Sequence, residues 1–110
     1  MINILFICSR NQWRSPTAEQ IWRQEKGLSV RSAGISNSAK RKVSEKDIDW
    51  ADLIFVMEQT HKKRLRSLCN QKTLNKPIFV LDIPDEYPYM DQELITLLRQ
   101  AVDPVLAQYR

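Results

Sequence analysis

The chain has 110 residues, enough for one domain with a single core and too few for a second. Hydrophobic residues make up 43%, which excludes a disordered chain, and two cysteines exclude a disulfide scaffold and suit a reducing cytoplasm. A net charge of +4 favours an anionic partner, whether nucleic acid, phosphoester or inorganic anion.

The apolar run Ile2–Cys8 reads as a first strand, since it is too short to span a bilayer and lacks the flanks of a leader. Pro16 to about Lys26 reads as a helix with Ala18, Ile21 and Trp22 on one face, stopped by Gly27. Leu28–Ser32 alternates as a second strand, ended by Ala33-Gly34. Leu53–Met57 is a continuous apolar run, expected of a strand covered on both faces. Leu65, Leu68 and Cys69 return to helical spacing, and Ile78–Leu81 gives a fourth strand. A last helix begins near Asp91 as N-cap and places Leu94, Leu97, Leu98, Ala101 and Val105 on one side, with a kink or break expected at Pro104. Four apolar strands separated by helices predict an α/β fold, a parallel sheet with helices on both faces. Such sheets bind ligands beyond the carboxyl ends of their strands, and Cys8 ends the first strand.

Residues 8–16 read Cys-Ser-Arg-Asn-Gln-Trp-Arg-Ser-Pro between that strand and a helix start. A cysteine there is ordinarily a small buried hydrophobe. A nucleophilic cysteine, by contrast, acts as thiolate, and a helix N-terminus with positive charge beside it favours the ionised form. Backbone N–H groups of such a loop form an anion-binding nest, and Arg14 can fold back so that its planar fork takes two phosphoryl oxygens. Pro16 fits the first helical position, and Ser15 is either a plain N-cap or a donor to the Cys8 sulfur. With no glycine in the loop, Asn11 is the residue best suited to a left-handed conformation.

The segment Leu5-Phe6-Ile7-Cys8-x-x-Asn11-x-x-Arg14-Ser15-Pro16-x-Ala18-Glu19 resembles the signature of low-molecular-weight protein tyrosine phosphatases. Arg31-Ser32-Ala33-Gly34, Ala51–Met57 and Ile83-Pro84-Asp85-Glu86-Tyr87 resemble later segments of that family in the same order. The resemblance implies a three-layer sandwich around a four-stranded parallel sheet of order 2-1-3-4, one such domain over residues 1–110, and a phosphocysteine mechanism with no metal or other cofactor. Carried over by position, Cys8 attacks phosphorus, while Arg14 and the loop of Cys8, Ser9, Arg10, Asn11, Gln12, Trp13 and Arg14 bind the phosphoryl group. Asn11 braces that loop, Ser15 assists the thiolate, and Asp85 is the general acid, with Asp82, Glu86 and Asp91 the other acids of the stretch. The expected partner is a phosphorylated substrate, with a phosphotyrosine protein as the family's example.

This chain departs from the pattern at several points. Trp13 stands where many relatives carry a second cysteine, and it either walls the pocket or plugs the core. The stretch between Gly34 and Ala51 is short, so the pocket rim is expected to be trimmed. Lys40, Arg41 and Lys42 either line that rim or are solvated, and Tyr87 and Tyr89 either wall the mouth or pack on their own turn. Cys69 reads as core and His61 as surface. A thioredoxin-coupled arsenate reductase is the competing enzyme, but its relay needs cysteines close to one another. A silent phosphate-binding module has no need of the cysteine. A nucleic-acid platform is disfavoured because no aromatic residues interleave the basic clusters, and no membrane segment is expected.

Overall fold

The computed structural model describes residues Met1–Tyr109. The strands are β1 (Ile2–Cys8), β2 (Leu28–Gly34), β3 (Leu53–Val56) and β4 (Ile78–Val80). They pair in parallel in the order β2-β1-β3-β4, the order expected from the sequence. The helices are α1 (Arg14–Trp22), α2 (Glu45–Trp50), α3 (Gln59–Leu68), α4 (Asn70–Thr73) and α5 (Gln92–Tyr109).

Strand alternation sorts the central strand between two cores. Ile4, Phe6 and Cys8 of β1 join Ala18 and Trp22 of α1 and Leu94, Leu98, Val102 and Leu106 of α5 on one face. Leu5 and Ile7 join Ile48 of α2, Leu65 of α3 and Ile54 and Val56 of β3 on the other. Phe6 stacks on both Trp22 and Phe55, with ring centroids 5.4 and 5.3 Å apart, which fixes the end of β1 against α1 and β3. β1 is therefore buried on both faces, and its last residue is held rigidly at the carboxyl edge.

Several boundaries differ from the sequence reading. α1 starts at Arg14, so Pro16 is its third residue rather than its first, and Trp13 rather than Ser15 is the N-cap. α1 ends at Trp22, and Gly27 (φ 84°) shapes the following turn, its carbonyl accepting from Ile2 N–H at 2.9 Å. α2 was not expected; its signal is the capping box of Ser44 and Asp47, in which each side chain accepts from the other's backbone N–H. Leu68 is half exposed, so the apolar face of α3 is narrower than its spacing implied. α5 runs through Pro104 without a break, because that residue lies on the exposed face, where water can take up the carbonyl the ring leaves unpaired. Asp91 caps α5 as expected, its Oδ2 accepting from the N–H groups of Glu93 and Leu94 at 3.0 and 3.2 Å. Among the described residues, no helix is long and apolar enough to cross a membrane.

Candidate active site

The β1–α1 loop is shaped by its backbone before any ligand is considered. Asn11 takes the left-handed conformation expected of it, with φ 55°. The loop's carbonyls are bonded outward to the segment after β2. Cys8 O accepts from Ile35 N–H at 2.9 Å, Ser9 O from Ser36 N–H at 2.9 Å and Arg10 O from Lys40 N–H at 3.0 Å. Gly34 is needed for this approach: a Cβ there would lie 2.5 Å from Ala39 Cβ and 2.8 Å from Ser9 O. With its carbonyls held outside, the loop's N–H groups are left free. Among the described residues' backbone hydrogen bonds outside helices and strands, none uses the N–H of Ser9, Arg10, Asn11, Gln12 or Trp13. Successive unpaired N–H groups at a helix start make an anion nest.

Cys8 is buried, and its Sγ lies 2.9 Å from Ser15 Oγ. A thiolate can only accept, so in that state Ser15 donates to sulfur. Asn11 steers the hydroxyl that way, because its Nδ2 donates to Ser15 Oγ and to Ser32 Oγ, both at 3.0 Å. Ser32 Oγ in turn donates to Glu19 Oε1 at 2.5 Å. Trp13 rather than Ser15 occupies the N-cap, and the Ser15 hydroxyl lies within reach of the Cys8 sulfur and, at 3.3 Å, of the Ala33 carbonyl.

Arg14 is 1% exposed, and its guanidinium is clamped along one side. Nη1 donates to Glu58 Oε2 at 2.5 Å and to the Ile83 carbonyl at 2.8 Å. On the other edge, Nε has no hydrogen-bond partner, and Nη2 reaches only Ser9 Oγ at 3.4 Å. Asp85 Oδ1 stands 3.6 Å from Nε. Asp85 is half exposed, so this pair with the buried guanidinium adds little stability, and it places the carboxylate beside the Nε edge. Of the late acidic residues, Asp85 alone pairs with Arg14; Asp82 sits in a left-handed turn (φ 55°), and Asp91 is committed to its cap. Arg14→Lys keeps the charge but loses the planar edge, so hydrolysis of an aryl phosphate is expected to fall about 10²–10³-fold in steady-state assays.

Two residues were not read from the sequence as part of the site. Glu58 follows β3 at the same carboxyl edge as Cys8, and that placement was the available signal. His61 was expected at the surface but is 3% exposed. Helical spacing from Glu58 carries it inward, where its Nδ1 accepts from Glu58 N–H at 3.1 Å. The proton therefore sits on Nε2, which donates to Ser9 Oγ at 2.9 Å. Burial, then the Arg14 charge, lowers the imidazole pKa below its ordinary 6.5, against opposing pulls from Glu58 and Asp85. The unfolded chain binds a proton near that value while the folded imidazole resists, so folding stability is lost as pH drops below about 6.5. His61→Gln is expected to flatten this slope in denaturant titrations between about pH 5 and 8.

Trp13 is 39% exposed, so it does not plug the core. With Gln12, Pro16, Lys40 and Tyr89 it lines a cleft of about 510 Å³ beside the loop. Tyr87 instead packs against the core of the α1 and α5 face. Cys69 is partly buried against the opposite sheet face from Cys8. Burial, reinforced by Glu45, pushes its thiol pKa up, which suits packing rather than a redox relay.

An arginine fork and an unpaired amide loop gathered around a buried cysteine are the furniture of a cysteine-dependent phosphatase. The family model for low molecular weight phosphotyrosine protein phosphatases matches residues 3–47, which hold the whole loop. YfkJ from Bacillus subtilis is 25% identical with a TM-score of 0.74, over 98% of this chain and 94% of its own. The YwlE arginine phosphatase from Geobacillus stearothermophilus is 22% identical with a TM-score of 0.76, over 98% and 95%. The low molecular weight protein tyrosine phosphatase SP-PTP of Streptococcus pyogenes is 18% identical with a TM-score of 0.81, over 100% and 94%. No curated protein matches the chain significantly in sequence. Residues 3–47 thus resemble the low molecular weight phosphotyrosine protein phosphatases, and the whole chain shares the α/β fold of these solved structures.

Proposed function

We propose that residues 1–110 act as one catalytic unit that hydrolyses phosphotyrosine in proteins through a phosphocysteine on Cys8. The observation that carries this reading is the Nε edge of buried Arg14, which makes no hydrogen bond, beside a loop of unpaired amides, both at the carboxyl end of β1. Phosphoryl oxygens fit there: two on the Arg14 edge, with the amides of Ser9, Arg10, Asn11, Gln12, Trp13 and Arg14 sharing the rest of the charge. Sγ of Cys8 attacks phosphorus in line, an S–P bond forms, and the ester P–O bond breaks. Asp85 gives its proton to the departing oxygen. The same carboxylate then takes a proton from water, whose oxygen attacks phosphorus; the S–P bond breaks, and Ser15 donates to the returning thiolate. Asn11 and His61 hold Ser15 and Ser9 for these steps.

The cleft walled by Trp13 and Tyr89 supports an aromatic leaving group. Two free thiols, Cys8 and Cys69, support a cytoplasmic setting. The test is hydrolysis of aryl phosphate and of a phosphotyrosine peptide with a metal chelator present. Turnover of both is expected; a chelator-sensitive reaction, or none, would remove the phosphocysteine reading.

A further inference from the structure

A second cleft of about 580 Å³ lies between the phosphate loop and α3, and Trp13 does not line it. Ser9, Arg10, Ser36, Thr60, His61 and Arg64 contribute to it. Most of the described arginines are engaged. Arg14, Arg31 and Arg41 pair with carboxylates, Arg23 and Arg66 donate to oxygen acceptors, and Arg99 meets Asp103 and Trp22. Among the described residues, the guanidinium groups of Arg10 and Arg64 alone of the arginine side chains have no hydrogen-bond, ion-pair or ring partner. Both line this one cleft. The acid that shares it, Asp85, faces Arg14 at 3.6 Å, and the neutral His61 ring is spent on Ser9 and Glu58. Two guanidinium groups and the hydroxyl of Thr60 are thus left lining a cavity beside the phosphate loop, where the Ser36 hydroxyl is already bonded to Ser38.

We infer that this cleft is a subsite for an acidic side chain flanking the phosphorylated residue, held by Arg10 and Arg64. The inference rests on the phosphatase reading above and names the substrate class it prefers: phosphopeptides with glutamate or aspartate next to the phosphoester. Guanidinium groups pair with carboxylates through two parallel hydrogen bonds, which lysines elsewhere on this basic surface cannot copy.

The test compares kcat/KM for two phosphotyrosine peptides that differ only in glutamate or glutamine at the flanking positions, with an aryl phosphate as reference. The ratio between peptides is read within each protein, so a change in the chemical step cancels. The native chain is expected to favour the glutamate peptide about tenfold, less at high salt. Arg64→Gln is expected to bring the ratio near one and Arg64→Glu to invert it, while Lys46→Gln, which removes one exposed charge from α2, leaves it intact. A native ratio near one, a ratio unmoved by the Arg64 variants, or an equal drop with Lys46→Gln would overturn the subsite while leaving the phosphatase reading in place. Failure to hydrolyse even the aryl phosphate would overturn both.

Discussion

Cys8→Ser is expected to lower aryl phosphate hydrolysis by about 10⁴-fold or more while leaving binding of vanadate or tungstate nearly intact. A serine hydroxyl does not ionise near neutral pH and cannot replace a thiolate as nucleophile or leaving group. The anion site survives because it is built from other atoms: the free amides of residues 9–13 and the Nε edge of Arg14. The fold survives because Ser15 Oγ, 2.9 Å from the sulfur, can partner the new hydroxyl. Steady-state hydrolysis and calorimetric oxyanion binding on both proteins check the two halves. Residual turnover within about tenfold of the native chain would contradict a nucleophilic Cys8.

The second large effect belongs to Asp85→Asn. An acid that protonates the departing oxygen matters most when that oxygen leaves badly, so hydrolysis of an alkyl or simple phenyl phosphate is expected to slow by about 10²–10⁴-fold. A highly activated aryl phosphate should be slowed far less. Asp82→Asn and Glu86→Gln are the controls, since neither residue pairs with Arg14 as Asp85 does. A leaving-group dependence that follows Asp82→Asn instead would move the acid three residues upstream.

The sheet was legible because β1, β3 and β4 are short, mostly apolar runs and β2 alternates, while the strand order came from the family resemblance. The loop was legible because its residue types are forced: a cysteine at a strand end, an arginine six positions on, and an asparagine where the backbone turns left-handed. What escaped were side chains whose role depends on which way an element faces. Glu58 drew no reading and His61 read as surface, and only the packing of α3 on Leu65 turns the histidine toward Ser9. The first turn of α1 was misjudged for a related reason: Pro16 is comfortable at the first helical position, but the helix begins two residues earlier, at Arg14. α2 was missed because Lys46, Asp47 and Asp49 dilute its apolar pattern, leaving the Ser44–Asp47 box as its chief signal.

Rapid chemical quench tests the central claim most directly. The native chain is mixed with an activated aryl phosphate, stopped in acid within the first turnovers and mapped by peptide mass spectrometry. The phosphoryl group is expected on the peptide that carries Cys8, together with a burst of phenolate matching the enzyme present. A phosphoryl group on any other residue, or full turnover with no phosphoenzyme and no burst, would contradict the account.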